Sequence, residues 1–293
     1  MRTVKIADGM EFSRIVQGFW RVVDWNVTTR ELTAFIHGCL ERGVNTFDTA
    51  DIYSSGECEN QVGRALKGID RSLYKIVSKG GILPGTNGGA SYYDTSYEHI
   101  LEACRRSVES LSCGYIDLYL IHREDPMIDH AETARALKAL KAEGLIREFG
   151  VSNFDPFKFN ALDHFTGGQL RMNQIEWNPC CFEHFKSGMM DLLQEKGIHP
   201  MIWSPLCGGA LFSGEAPEYA NARRVFSAMA EKYGVNISTM IYAWILNHPI
   251  QAMPLVGSGK LSRLDDAISA LDIAVEREDW YKLYTASGQM AIR

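Results

Sequence analysis

Eight short apolar runs recur along the 293-residue chain, and stretches with helical spacing of apolar residues separate them. The runs are rich in β-branched residues and apolar nearly throughout, which is typical of strands buried on both faces of a parallel sheet. A strand followed by a helix, repeated about eight times, predicts an α/β fold of the closed (β/α)8 type, a TIM barrel. The predicted strands cover residues 14–20, 45–50, 74–79, 116–122, 147–153, 172–177, 199–205 and 252–258.

Helix starts are predicted where a capping residue is followed three positions later by an acid. These pairs are Thr28 with Glu31, Ser54 with Glu57, Thr95 with Glu98, and Asp129 with Glu132. Later helices are predicted over residues 155–165, 183–196, 219–233 and 261–270.

The segment before the first predicted strand, VKIADGMEF, reads as a β-hairpin that turns at Asp8-Gly9. We expect this hairpin to close the bottom of the barrel. The glycine- and serine-rich segments 80–94 and 206–218 predict loops over the opposite, active face. No linker interrupts the pattern, so we expect a single domain over residues 1–293.

Composition excludes several classes of partner. The net charge of −6 argues against nucleic acid or an anionic membrane surface. No apolar run approaches the length of a membrane span, and the N-terminus lacks the apolar core of a signal peptide. Seven cysteines without a CxxC pair indicate reduced thiols and no metal site. These observations predict a cytoplasmic protein.

Four reactive side chains stand at or just beyond the ends of three predicted strands. They are Asp48, Tyr53, Lys79 and His122. Each could have a structural role: the aspartate as a helix cap, the tyrosine in a loop, the lysine in solvent, the histidine in the core. Together they point to a catalytic site, because this fold gathers the C-terminal strand ends on one face.

The chemistry of such a set suits proton donation to a carbonyl oxygen. A lysine beside a tyrosine is expected to lower the pKa of the phenol, and an aspartate would keep that lysine charged. The tyrosine could then act as a general acid near neutral pH, with the histidine orienting the carbonyl. A proton donor is half of a reductase, and the other half is a hydride source.

The chain resembles the aldo-keto reductases in seven blocks that follow the family's order, and most resembles bacterial oxidoreductases of the YdhF type. The blocks are GVNTFDTADIYSSGECENQVGRAL, IVSKGG, YIDLYLIHREDP, FGVSNF, NQIEWNP, WSPLCGGAL and PLVGSGKLSRL. The resemblance implies an NADPH-dependent carbonyl reductase in which Tyr53 is the general acid, assisted by Lys79 and Asp48. His122 would set the orientation of the carbonyl.

The resemblance also implies which residues bind the cofactor. The carboxamide of the nicotinamide would meet Ser152, Asn153 and Gln174, and its ring would stack on Trp203. The pyrophosphate would lie against Ser204, Leu206, Gly208 and Gly209. The adenosine end would meet Gly257, Ser258, Lys260 and Arg263.

The adenosine segment supports NADPH on physical grounds as well. It places backbone N–H groups and two cations at a turn between a strand and a helix, which is an anion site. Two cations suit a 2′-phosphate, so NADPH is favoured over NADH. Asp266 and Ala267 stand where the family often has Glu and Asn, so the adenine contacts are left open.

Four bulky side chains are candidates for the substrate pocket wall: Trp20, Trp25, Ile82 and Leu83, with Trp177 a weaker one. Each could equally be packing at the barrel rim. The expected partner is a small-molecule carbonyl substrate, and the expected state is a monomer that reduces rather than oxidises. Two alternatives stay open: a cofactor-binding regulatory or sensor protein of the same fold, and a barrel lyase or isomerase without nicotinamide.

Overall fold

Eight parallel strands close into the predicted barrel in a computed structural model that describes residues 1–85 and 89–292. In barrel order, with β12 pairing back to β3, the strands are β3 (Val16–Gly18), β4 (Thr46–Asp48), β5 (Lys75–Gly80), β8 (Ile116–Ile121), β9 (Ile146–Ser152), β10 (Leu170–Glu176), β11 (Met201–Trp203) and β12 (Met253–Val256). Each of the eight predicted strands is confirmed, with ends that differ by a few residues. Outside the barrel lie the hairpin β1 (Thr3–Ala7) with β2 (Met10–Ser13), and the ribbon β6 (Ile82–Leu83) with β7 (Tyr92–Tyr93).

Helices surround the barrel. They are α1 (Thr29–Glu41), α2 (Glu57–Leu66), α3 (Tyr97–Leu111), α4 (His130–Ala142), α5 (Pro156–Thr166), α6 (Glu183–Lys186), α7 (Met189–Glu195), α8 (Ala210–Ser213), α9 (Pro217–Tyr233), α10 (Ile237–Leu246), α11 (Leu261–Ser269) and α12 (Arg277–Tyr284). Their apolar faces pack on the outward side chains of the strands, while other strand residues fill the barrel interior. All six residues of β8 are buried, which explains why the predicted strands are apolar runs rather than alternating ones.

The N-terminal hairpin closes the bottom of the barrel, as predicted. Val4, Met10 and Phe12 belong to the same buried cluster as the interior strand residues. The turn at Asp8 and Gly9 lies beside the first residues of β5, β8 and β9, which marks it as the N-terminal end of the strands. The opposite end is therefore left open for a site.

Two of the four predicted helix caps are confirmed. Thr28 and Glu31 form the full reciprocal box at α1, and the Asp129 carboxylate accepts two backbone N–H bonds at α4. Ser54 does not cap α2, because it lies in a short 3₁₀ turn with a left-handed φ of 47°. The helix instead follows Gly56, which has a φ of 91°.

The cap of α3 is shifted by one residue from the prediction. Ser96 accepts the N–H of His99, while the hydroxyl of Thr95 donates to the buried Asp125 carboxylate at 2.8 Å. The predicted helix 183–196 is divided into α6 and α7 at Gly188, which has a φ of 81°. Helices α10 and α12 were not predicted.

The glycine-rich segment 80–94 contains the β6–β7 ribbon, and residues 86–88 lie outside the described residues. Segment 206–218 is a loop that contains α8 and the start of α9. Within residues 1–85 and 89–292, no helix is both long enough and apolar enough to cross a membrane. The same ranges contain no group of three or more His, Cys, Asp or Glu side chains that could hold a metal ion.

Candidate active site

The four predicted catalytic side chains meet at the C-terminal end of the barrel. Asp48 is the last residue of β4, Lys79 lies near the end of β5, and His122 directly follows β8. After β4 the chain stays beside β5, because the N–H of Thr49 bonds to Val77 O and that of Asp51 bonds to Lys79 O. This course carries Tyr53 over the lysine.

Lys79 is the centre of the arrangement, with 0% of its side chain exposed. Its ammonium donates to Asp48 Oδ1 at 2.7 Å, to Thr49 O at 2.8 Å and to the Tyr53 hydroxyl at 3.3 Å. These three bonds use all the donors of an ammonium. Burial alone would lower the pKa of Lys79, but Asp48 and Tyr53 outweigh it and the net pKa is raised. The amine is therefore held as a cation.

Asp48 links the lysine to the far side of the barrel. Its second carboxylate oxygen, Oδ2, accepts a hydrogen bond from Gln174 Nε2 at 2.7 Å. Both carboxylate oxygens are thus engaged in a buried setting, which fixes the side chain and satisfies its charge.

The prediction of a lowered tyrosine pKa is wrong. Burial raises the pKa of Tyr53 above its ordinary value of 10.0, and the neighbouring Lys79 cation only partly offsets that rise. The expectation failed because it considered the lysine and not the removal of the phenolate from water. At neutral pH the hydroxyl carries its proton, as a proton donor must.

His122 stands edge-on to Tyr53, with ring centroids 5.6 Å apart and an interplanar angle of 76°. Burial, followed by the cations Lys79 and Arg123, lowers the pKa of His122 well below 6.5. The imidazole is therefore neutral at physiological pH. Among the described residues, the buried Nδ1 of His122 has no hydrogen-bond partner.

A cavity of about 610 Å³ opens above these side chains. Most of the predicted site residues line it: Asp48, Tyr53, His122, Ser152, Asn153, Gln174, Trp203, Ser204, Leu206, Gly208, Gly209, Gly257, Ser258, Arg263, Trp20 and Ile82. Lys79 lies beneath the Tyr53 hydroxyl. The cavity is thus large enough for a ligand and runs from Asp48, Tyr53 and His122 to the turn before α11.

Two predicted pocket residues do not line this cavity. Trp25 packs its ring against Phe19 and Phe35, with centroids at 5.8 Å and 5.5 Å, and Leu83 pairs with Tyr92 in the ribbon. The lining of this cavity therefore does not support their assignment to the pocket wall, which stays a prediction.

Two further predicted residues also lie away from the cavity lining. Lys260 is the exposed residue just before α11. Trp177, the weaker candidate, is fully buried against Trp244 and Phe185.

Comparison with known proteins identifies the family. The sequence model described as "Aldo/keto reductase family" matches residues 14–286. The chain belongs to the aldo/keto reductase family. A relative from Escherichia coli (strain K12), named "Oxidoreductase YdhF", is 38% identical to this chain over 284 residues, which are 95% of each chain. A "6-dehydroglucose reductase" of Agrobacterium fabrum is 37% identical over 292 residues, 97% of each chain.

Solved aldo/keto reductase structures share the fold. The glycerol dehydrogenase of Gluconobacter oxydans gives a TM-score of 0.85 at 23% identity, over 99% of this chain and 97% of that one. An aldo/keto reductase from Klebsiella pneumoniae, solved in complex with NADP and acetate, gives 0.81 at 24% identity, over 96% and 93%. These likenesses bear on the barrel alone.

Among the residues predicted to bind the cofactor, a chain of hydrogen bonds orients the Trp203 ring. Trp203 Nε1 donates to Asn153 Oδ1 at 2.8 Å. Asn153 Nδ2 in turn donates to Ser152 Oγ at 2.8 Å, and that hydroxyl donates to Gln174 O at 2.9 Å. Asn153 adopts a left-handed φ of 61°. The indole is therefore fixed at the cavity wall by Asn153, which directly follows β9 and is tied through Ser152 to β10.

Sequence reasoning missed several residues that line the cavity: Arg21, Ile52, Arg123, Phe212, Ser238 and Tyr242. Ser238 and Tyr242 belong to α10, which was not predicted. Arg123 directly follows His122, so the strand-end signal that found the histidine could have found it too. Arg123 lies 5.4 Å from the Trp203 ring centroid, and Arg21 lies 4.6 Å from that of Trp20.

Proposed function

We propose that this protein reduces aldehydes or ketones to alcohols with NADPH as hydride donor and Tyr53 as general acid. The observation that carries the proposal is the fully buried Lys79 ammonium, bonded to Asp48 at 2.7 Å and to the Tyr53 hydroxyl at 3.3 Å below an open cavity. A buried cation paired with a phenol has little structural purpose, because an apolar pair would cost less to bury.

The cavity residues fit a dinucleotide. Trp203 offers a flat face held by Asn153, and the left-handed turn at Gly208 and Gly209 (φ of 63° and 100°) exposes backbone that a Cβ would cover. Arg263 supplies a cation beyond Ser258, with its guanidinium 3.5 Å from Asp266. When bound, NADPH supplies the hydride.

The protein's own side chains supply the proton that the carbonyl oxygen receives. Tyr53 stays protonated at neutral pH and lies beside the substrate space. As the proton moves to the carbonyl oxygen, the developing phenolate is stabilised by the Lys79 ammonium. Asp48 keeps that ammonium charged and fixed, and the neutral His122 positions the oxygen by a hydrogen bond.

Replacement of Tyr53 by Phe tests the assignment. The variant loses the proton and keeps the ring, so turnover of a carbonyl substrate should fall by about three orders of magnitude or more. NADPH affinity, measured by fluorescence quenching, should stay within twofold or so. Tyr281→Phe, on the exposed helix α12, is the matched control. Normal turnover by Tyr53→Phe would show that another group donates the proton.

For the substrate we propose a small hydroxylated aldehyde. Two relatives, 37% and 33% identical, are named 6-dehydroglucose reductase, which points to a sugar aldehyde. In the cavity Arg21 and Arg123 offer donors for hydroxyl groups, and Trp20, 54% exposed, offers a face for a sugar ring.

The substrate class is tested by comparing Arg123→Met with the wild type. Hydroxyaldehydes should lose about tenfold in kcat/KM with this variant, while 4-nitrobenzaldehyde, which has no hydroxyl groups, should lose little. Arg277→Met, at the start of α12 and away from the cavity, is the control. An equal loss for both substrates would assign Arg123 to the reaction in general and not to specificity.

A regulatory or sensor role is the second candidate. A relative from Schizosaccharomyces pombe, 28% identical over 80% of this chain, is named a putative voltage-gated potassium channel subunit beta. The presence of all four predicted catalytic residues, Asp48, Tyr53, Lys79 and His122, favours the enzyme. NADPH binding without turnover across a panel of carbonyl compounds would favour the sensor.

The barrel and the N-terminal hairpin share one buried core, which supports the prediction of a single domain. The predicted monomer is tested by measuring the molecular mass in solution by light scattering.

A further inference from the structure

Three of the seven cysteines are partly exposed. They are Cys180 and Cys181, which follow β10, and Cys207, which lies between β11 and α8, whereas the other four are buried. Cys207 belongs to the segment 204–209, called the cavity loop here, whose Ser204 and Leu206 line the cavity.

Cys180 and Cys207 converge on one amide oxygen. Asn178 Oδ1 accepts the Cys180 N–H at 2.9 Å and the Cys207 thiol at 3.2 Å. The two thiols also lie close enough to perturb each other's pKa. A disulfide requires an S–S distance of about 2.05 Å, so the two side chains must rotate toward each other to form one.

The two neighbouring cysteines Cys180 and Cys181 differ in reactivity. The interaction with Cys207 lowers the pKa of the Cys180 thiol below 9.0, against the opposing effect of burial. Burial, together with the Glu176 carboxylate, raises the pKa of Cys181 to about 11. Because the thiolate is the nucleophile, Cys180 is the more reactive of the two.

We propose that Cys180 and Cys207 form a reversible disulfide when the protein meets hydrogen peroxide. The Cys180 thiolate attacks one peroxide oxygen and breaks the O–O bond, which gives a sulfenic acid and a hydroxide that becomes water. The Cys207 sulfur then displaces the hydroxyl group, the S–S bond forms, and a second water leaves with the Cys207 proton. Two thiols lose two electrons and two protons, and one peroxide is reduced to two waters.

The disulfide would fasten the cavity loop to the segment that follows β10. Cys207 stands between Leu206 and Gly208, both of which line the cavity, while Cys180 also contacts Glu218 O at 3.8 Å. A cross-link here restricts opening of the cavity loop. This consequence rests on the proposed function, because the same loop would lie over the pyrophosphate. Oxidation should therefore slow NADPH release.

The cross-link is tested by mass spectrometry of the intact wild type after treatment with one equivalent of peroxide. The expected result is the loss of two hydrogen atoms, a Cys180–Cys207 peptide after digestion without reductant, and return to the starting mass with dithiothreitol. Cys181→Ser should behave like the wild type, and Cys180→Ser should not form the bond. A cross-link through Cys181, or sulfinic acid at Cys180 without a cross-link, overturns the proposal.

A second measurement tests whether the disulfide slows NADPH release. In stopped-flow fluorescence, oxidised wild type should release NADPH about fivefold more slowly than the reduced protein, and Cys180→Ser should show no such difference. Equal rates would refute the effect on the loop. If the reduced protein binds no NADPH, the proposed function fails, while the cross-link result still stands or falls on its own.

Discussion

Replacement of Lys79 by Met probes the charge beneath the phenol. The ammonium lies 3.3 Å from the Tyr53 hydroxyl oxygen. At that distance the attraction between a unit cation and a full phenolate is about 5 kcal/mol at an effective dielectric constant of about 20. Each 1.36 kcal/mol or so is tenfold in rate. A fully developed phenolate in the transition state would therefore lose about 5,000-fold in kcat, and a half-developed one about 70-fold.

The assay is the decay of NADPH absorbance with a saturating aldehyde. We expect kcat of Lys79→Met to fall within that range while NADPH affinity changes little, because Lys79 does not line the cavity. A fall of less than about tenfold would refute the electrostatic reasoning. It would mean that the cation does not stabilise charge on Tyr53.

Stability must be separated from chemistry in this variant. Removal of Lys79 leaves the buried Asp48 carboxylate without its counter-charge, which costs about 3–5 kcal/mol. Adding Asp48→Asn removes the orphaned charge, so the double variant should recover much of the thermal stability. Its kcat should stay low, since the ammonium is still absent. Recovery of both would show that the single variant was inactive only because it was unfolded.

Three other changes have defined outcomes. Burial, followed by the nearby Glu59, raises the pKa of Asp51 from 3.8 to about 7; the stability this group contributes is present below pH 4 and lost as pH rises through 7. Asp51→Asn should thus raise the thermal midpoint at pH 8 and not at pH 4, and equal shifts at both would contradict this linkage. The rate of reduction should stay level through neutral pH and fall only above pH 10, because protonated Tyr53 is the active form and its pKa is raised; a fall centred near pH 7 in a pH–rate profile would exclude it as the acid. Thr28→Ala breaks the capping box of α1 and should cost about 1 kcal/mol in chemical denaturation, whereas no loss would mean that the exposed helix end is satisfied by water.

The sequence predicted the barrel well because its strands are buried on both faces and so appear as apolar runs. The same property hid α10, since eight consecutive residues of that helix, 238–245, are buried and leave no amphipathic pattern. Ser54 was assigned to a cap because its spacing to Glu57 fits, but the turn that carries Tyr53 uses left-handed residues that no spacing rule reveals.

The candidate site was predicted in part for a related reason. Strand ends place Asp48, Lys79 and His122 on one face whatever the loops do. At the barrel rim, the direction of a side chain depends on local packing. Trp20 therefore faces the cavity, whereas Trp25, five residues later, packs inward on Phe35. Burial of the Tyr53 phenol could not be judged from its neighbours in sequence, so the shift of its pKa was predicted in the wrong direction.

The central claim is that the Tyr53 hydroxyl meets the reacting oxygen. A crystal structure with NADP+ and an unreactive carbonyl ligand measures this directly. We expect the ligand's carbonyl oxygen within about 2.6–3.2 Å of the Tyr53 hydroxyl and in hydrogen-bond reach of the His122 ring. A ligand bound in the cavity with its carbonyl oxygen turned away from Tyr53, and a different donor at that oxygen, would contradict the account.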